Sequence, residues 1–200
     1  MVRTHSFMMP LTTPAPAFAL PDLTGKTVRL VDLPPSRGLL VVFLANHCPY
    51  VKHLRRHFGA NARVWAAQGL TVIGIASNDV ATHPADGPEG MRAEVADAGY
   101  DFPYLLDADQ AVAKAFHAAC TPDFFLFDSQ RRLAYRGRYC ASRPKQEPAQ
   151  PVTGVDLAAA VTAVLAGQAP AAQQLPSLGC NIKWAVGNEP EYATNLVVTA

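Results

Sequence analysis

Cys48, within Phe43-Leu44-Ala45-Asn46-His47-Cys48-Pro49-Tyr50-Val51-Lys52-His53, is the residue whose setting points most directly to chemistry. An apolar run from Leu39 to Leu44 ends just before it and reads as a strand buried on both faces. Pro49 follows, and a proline costs nothing at the first position of a helix. A cysteine between strand and helix meets the positive end of the helix dipole and its free N–H groups, and His47 and Lys52 add to that field. Such surroundings lower a thiol from its ordinary pKa of about 8.5 by one to several units, and the thiolate is the form that attacks disulfides and peroxides. The competing reading is a buried capping cysteine with no chemistry. The other cysteines, Cys120, Cys140 and Cys180, are scattered with no CxxC pair, which argues against a zinc ribbon or finger. His53 and His57 have a metal-capable spacing, but Arg55 and Arg56 between them oppose a cation. No metal site is expected there, only a solvated basic face.

A second motif, Cys120-Thr121-Pro122-Asp123-Phe124-Phe125, puts a proline directly before a strand. A proline cannot continue a ladder inward, so it marks a strand start or a cis turn. Further strands are expected at 18–20 and 27–30 around the turn Asp22-Leu23-Thr24-Gly25, and at 70–76 and 102–106. Residues 123–127 and 132–136 form an antiparallel hairpin through Asp128-Ser129-Gln130-Arg131. One helix runs from Pro49 through Val51, Leu54, Phe58 and Trp65 to Gly69, with Gly59 as a point of kinking or interruption. Met91, Val95 and Ala98 mark a second helix, and Val112, Ala115 and Phe116 a short third. The last helix carries Leu157, Val161, Val164 and Leu165, with a capping-box-like start at Thr153 and Asp156. Alternating strands and helices, then a hairpin and a final helix, give a mixed sheet flanked by helices on both faces. Residues 1–17 read as an irregular arm and 18–167 as the α/β domain. Residues 168–200 read as an extension, with a Pro/Gln/Ala linker and an irregular tail that docks through Ile182 and Trp184.

The length of 200 residues suits one domain, and 50% hydrophobic with 16% charged residues excludes a disordered chain. With 17 basic against 16 acidic residues, nothing draws the chain globally to nucleic acid or an anionic membrane. The longest apolar run is far short of the ~20 residues that span a bilayer. Prolines, not an apolar run, follow the first residues, so no signal peptide and a cytoplasmic location are expected. Four cysteines are too few for a disulfide scaffold.

The chain resembles the thioredoxin-like, peroxiredoxin-related family called peroxiredoxin-like 1, within the alkyl hydroperoxide reductase/thiol-specific antioxidant grouping. The residues that carry the resemblance are 46–52, Ser77-Asn78-Asp79, 120–128 and Pro176-Ser177-Leu178-Gly179-Cys180-Asn181-Ile182-Lys183-Trp184. The resemblance implies a thioredoxin-like fold in which a cis-proline loop at Pro122 lies against the nucleophile Cys48. Asn46, His47, Pro49, Thr121 and Pro122 would then contact substrate. It implies thiol-disulfide exchange with a protein or small-molecule disulfide, no organic cofactor, and an external thiol reductant. Peroxidase action on a hydroperoxide, with Arg136 or Arg138 polarising the peroxide, is the alternative. A non-catalytic peptide-binding module is a third reading, and a homodimer is possible for any of them. Val51 stands where thioredoxins carry their second cysteine, and the Pro-x-x-x-Thr-x-x-Cys motif of true peroxiredoxins is absent. Turnover therefore needs a distant thiol to resolve Cys48. Cys180, on a tail that can move, is preferred over Cys120 and over an external thiol. Cys140, at a strand end, reads as inert.

Overall fold

The computed structural model describes residues 3–195, 197 and 198. In chain order its elements begin with β1 (Arg3–His5), β2 (Ala19–Pro21), β3 (Thr27–Arg29), β4 (Gly38–Phe43), α1 (Pro49–Ala67) and β5 (Leu70–Ala76). Then come α2 (Pro88–Ala98), β6 (Tyr104–Leu106), α3 (Ala111–Ala115), β7 (Cys120–Thr121), β8 (Asp123–Asp128) and β9 (Leu133–Gly137). The chain continues with α4 (Val155–Leu165), β10 (Leu178–Asn181), α5 (Glu191–Thr194) and β11 (Val197–Val198). The main sheet has the order β6-β5-β4-β8-β9, parallel among β4, β5 and β6 and antiparallel at β8 and β9. This is the mixed sheet of a thioredoxin-like fold.

Strand β4 is apolar throughout because both of its faces are covered. Leu40 and Val42 point to one core with Val51, Phe58 and Trp65 of α1, Met91 of α2 and Leu157 and Val161 of α4. Leu39, Val41 and Phe43 point to the other, with Ile73, Ile75, Phe116 and Phe125. The β2–β3 hairpin forms as expected, with Asp22 Oδ1 accepting from the backbone N–H of Thr24 and Lys26.

Three expectations need correction. Helix α1 runs unbroken through Gly59, which is a contact residue: a Cβ there would meet the Ala98 carbonyl oxygen at 2.3 Å. Gly154 in the left-handed region, not a capping box, precedes α4, and Asp156 instead accepts from Arg138 Nε at 2.6 Å. The arm and tail are not irregular. They form a second sheet of order β11-β1-β10-β7, in which Arg3 lies opposite Cys180 and Cys180 opposite Thr121.

The tail is also fastened beyond the sheet, where a mobile segment was expected. The buried Gln110 donates to the carbonyl oxygens of Ser77 (2.7 Å) and Lys183 (2.8 Å) and accepts from Ala185 N–H at 2.9 Å. Asn78 Oδ1 accepts from Lys183 N–H at 2.8 Å, and Asp79 N–H donates back to Lys183 O at 2.7 Å. Ile182 is buried and Trp184 packs on the same core, as read from the sequence.

Two buried acids set a pH dependence. Glu94 of α2 accepts from the hydroxyls of Tyr100 (3.4 Å) and Tyr104 (3.1 Å), and burial pushes its carboxyl up to about 7. Burial likewise pushes Asp123 up to about 7. A carboxyl that holds its proton more tightly when folded stabilises the fold below the unfolded pKa. That contribution is lost as pH rises through the folded value. Stability against urea is therefore expected to fall as pH rises from about 4 to about 7, at up to about 1.4 kcal/mol per pH unit for each acid, and to level off above that. Glu94→Gln should flatten about half of that slope, and an unchanged slope would contradict this origin.

Candidate functional site

The strand–helix junction places Cys48 as predicted. It caps α1 in extended conformation, its carbonyl accepts the first helical bond from Lys52 N–H at 3.0 Å, and Pro49 opens the helix. No acidic residue sits in the first turn to oppose a negative charge. Cys48 is 0% exposed, and its Sγ donates to the Thr121 carbonyl at 3.1 Å. The Thr121–Pro122 peptide is cis, and Pro122 immediately precedes β8 beside the Thr121 carbonyl that meets the Cys48 sulfur.

The sheet register then decides which cysteine joins it. Directly opposed residues of a β pair share a face, and neighbours along a strand alternate. Cys180 lies opposite Thr121, whereas Cys120 lies opposite Asn181 and faces the other way. Cys180 hydrogen-bonds Cys48, and Cys120 Sγ instead approaches the Pro122 carbonyl at 3.8 Å. Burial works against ionising Cys48. Donors from Cys180, from the Thr121 side chain and from the Val51 backbone outweigh it and bring the thiol down to about 6. Cys180 moves far upward as the proton-holding partner, driven first by its bond to Cys48 and then by burial. Cys120 also lies well above an ordinary thiol because it is buried. The Thr121 hydroxyl is buried with no hydrogen-bond partner and is among the groups that lower the Cys48 thiol.

Around this pair the backbone is locked by Asp86, a residue the sequence reading missed. Its carboxylate accepts from His47 N–H (3.0 Å) and Asn78 Nδ2 (2.8 Å) and lies 2.5 Å from His47 Nδ1. Burial alone would raise its pKa, but these bonds hold it below the usual carboxylate range. His47 is thereby turned to Asp86. Asn46 is engaged too, donating to the Ala85 carbonyl at 3.1 Å and accepting from Arg55. These two residues position the loop, and Thr121 and Pro122 are the members of the expected set that adjoin the sulfur. Lys183, quoted in the tail motif without a role, sets its ammonium on Asn181 O and Oδ1 at 2.7 and 2.8 Å.

The remaining candidates sit elsewhere. His53 contacts Ser142 Oγ at 2.7 Å and His57 contacts Tyr139 OH at 2.6 Å, so this face docks on the loop after β9 and is not simply solvated. No cluster of metal-ligating side chains occurs among the described residues. Arg136 bonds Gln174, while Arg138 lines a crevice of about 10 Å³ beside Tyr50, Pro122 and Cys140. Burial raises the Cys140 thiol, but donors from Gly154, Thr153 and Ser142 outweigh it and lower it overall.

The family model of the AhpC/TSA family matches residues 11–136, a stretch that contains Cys48, Thr121 and Pro122. The chain belongs to the AhpC/TSA family. This AhpC/TSA chain is 32% identical over 104 residues to a Mycobacterium tuberculosis protein named as a candidate peroxiredoxin, covering 52% of this chain and 61% of that one. It is 26% identical over 128 residues to the thiol-disulfide oxidoreductase ResA of Bacillus subtilis, covering 60% of this chain and 62% of ResA. It thus spans less than two thirds of either curated relative. Among crystal structures, a protein of Sinorhizobium meliloti 1021 superposes with TM-score 0.88 at 48% identity, over 92% of this chain and all of that one. A conserved protein of Geobacillus kaustophilus gives 0.88 at 42%, over 92% and 97%.

Proposed function

We propose that this protein is a thiol-disulfide oxidoreductase in which Cys48 is the nucleophile and Cys180 the resolving thiol. The observation that carries the reading is the β7–β10 register, which sets Cys180 and Thr121 on one face against the Cys48 sulfur. The Cys48 thiolate attacks a substrate disulfide and expels one substrate thiolate. The Cys180 thiol then gives up its proton and attacks the Cys48 sulfur. That releases the second substrate thiol and leaves a Cys48–Cys180 disulfide, which an external thiol reduces. Both sulfurs are 0% exposed, so each exchange requires β10 to part briefly from α1.

The AhpC/TSA membership and the name of the mycobacterial relative favour a second substrate for the same couple, a hydroperoxide. Peroxide consumption with dithiothreitol, set against insulin disulfide reduction, separates the two. A non-catalytic peptide-binding module would bind one partner equally well as wild type and Cys48→Ser. No helix among the described residues is long and apolar enough to cross a membrane. A cytoplasmic setting fits a couple kept reduced by external thiols.

Alkylation by iodoacetamide, read at the Cys48 peptide by mass spectrometry, is expected to titrate with a midpoint near pH 6. A midpoint above about 8, that of an unactivated thiol, would contradict an activated Cys48.

A further inference from the structure

The crevice beside Pro122 carries positive charge that thiol exchange by itself does not use. Arg143 lies half-buried on the crevice beside Tyr50 and Pro122, with Nη1 donating to the carbonyl oxygens of Cys140 (2.7 Å) and Ser142 (2.8 Å). Among the described residues no carboxylate pairs with it. A second guanidinium, Arg138, lines the same crevice. The Lys183 ammonium rests on neutral oxygens, and Arg3 stands opposite Cys180 on β1.

The acids nearby are already committed. Asp156 holds Arg138, Asp86 holds His47 and Asn78, and Asp123 is sealed in the interior. Taking a guanidinium partly out of water beside another cation is unfavourable unless an anion joins them. The crevice, at about 10 Å³, holds no more than a water-sized group, so a larger anion would meet Arg143 at its rim. Its floor includes Pro122, one residue from the carbonyl that touches Cys48.

Resting on the dithiol reading above, we propose that Arg143 seats a carboxylate and that the substrate is a small disulfide bearing a carboxylate near its sulfur. Guanidinium and carboxylate match as a planar two-point pair, which would aim the adjoining disulfide along the Pro122 side of the site toward Cys48. The chemistry is two-electron exchange: the substrate disulfide is reduced to two thiols while Cys48 and Cys180 are oxidised to one disulfide. The Cys180 proton passes to the departing sulfur.

The test uses the reduced full chain and three disulfides that differ in charge: dithiodipropionate (dianion), bis(2-hydroxyethyl) disulfide (neutral) and cystamine (dication). Single-turnover oxidation, followed by loss of the Cys48 and Cys180 thiols, is expected to run about tenfold faster for the dianion than for the neutral compound, and slower still for the dication. Arg143→Gln should lower the dianion-to-neutral ratio at least about fivefold, Arg143→Lys should recover part of it, and high salt should compress it in wild type. A ratio near one in wild type, or one that Arg143→Gln leaves unchanged, overturns the proposal while leaving the dithiol reading intact. If none of the three oxidises the protein, the dithiol reading fails. The charge at Cys48 is then still read from alkylation by iodoacetate against iodoacetamide. That ratio should fall in Arg143→Gln, and equal ratios in the two proteins overturn the proposal in that case.

Discussion

Cys180→Ser, given a disulfide substrate, is expected to stop at a mixed disulfide between Cys48 and the first substrate thiol. In wild type the Cys180 thiol hydrogen-bonds Cys48, so in the proposed sequence the second step is intramolecular. Such placement is worth a large effective concentration of thiol, and losing it makes release depend on a thiol from solution. Steady-state turnover should therefore drop about 100-fold or more, with the mixed disulfide visible by intact mass. Cys48→Ser should form no adduct. Cys120→Ser should turn over close to wild type, because Cys120 faces away from Cys48 across the β7–β10 pair. The same variant tests the activation, since Cys180 heads the donors that lower the Cys48 thiol. Full turnover by Cys180→Ser would assign resolution to another thiol.

Gly179→Ala should uncouple the pair without touching either sulfur. A Cβ at Gly179 would sit 2.1 Å from the Thr121 carbonyl oxygen and 2.7 Å from its carbon, and backbone on both sides leaves nothing flexible to yield. Strand β10 must then draw away from β7, taking Cys180 from Cys48. The expected cost in stability is about 1–3 kcal/mol, in line with overpacking elsewhere. The Cys48 alkylation midpoint should rise from about 6 by at least one unit as the Cys180 donor withdraws. The midpoint is the quantity to follow, because a loosened β10 also admits reagent and would speed the reaction at any fixed pH. Loss of stability with an unmoved midpoint would show that Cys180 is not the source of the activation.

What could be read from the sequence was what is local. The Cys48 position followed from an apolar run ending two residues before Asn46 and a proline at the first helical residue. The Thr121-Pro122 step followed from a proline just ahead of an apolar strand. Gly59 was misread for an instructive reason: a glycine inside a helical pattern signals either a break or a close approach, and only the position of Ala98 decides. The arm and tail were opaque because β1 is three residues long and pairs with a strand about 175 positions away, with no periodicity to announce either. In the sequence, Asp86 and Arg143 sit in polar stretches that read like many surface segments. Their roles arise from partners 39 positions distant in one case and from the absence of a carboxylate in the other. Cys180 was reachable as a candidate on a tail expected to move, but what brings it and not Cys120 to Cys48 is the register of a fixed strand, which one sequence does not display.

The central claim, that Cys48 and Cys180 are one redox couple, is tested most directly by equilibrating wild type in graded thiol–disulfide buffers and mapping its peptides without reduction. The account predicts a single Cys48–Cys180 disulfide that forms and disappears as one two-electron transition, while Cys120 and Cys140 remain thiols. Cys48 paired with Cys120 or Cys140, or left unpaired and over-oxidised while Cys180 stays reduced, would contradict it.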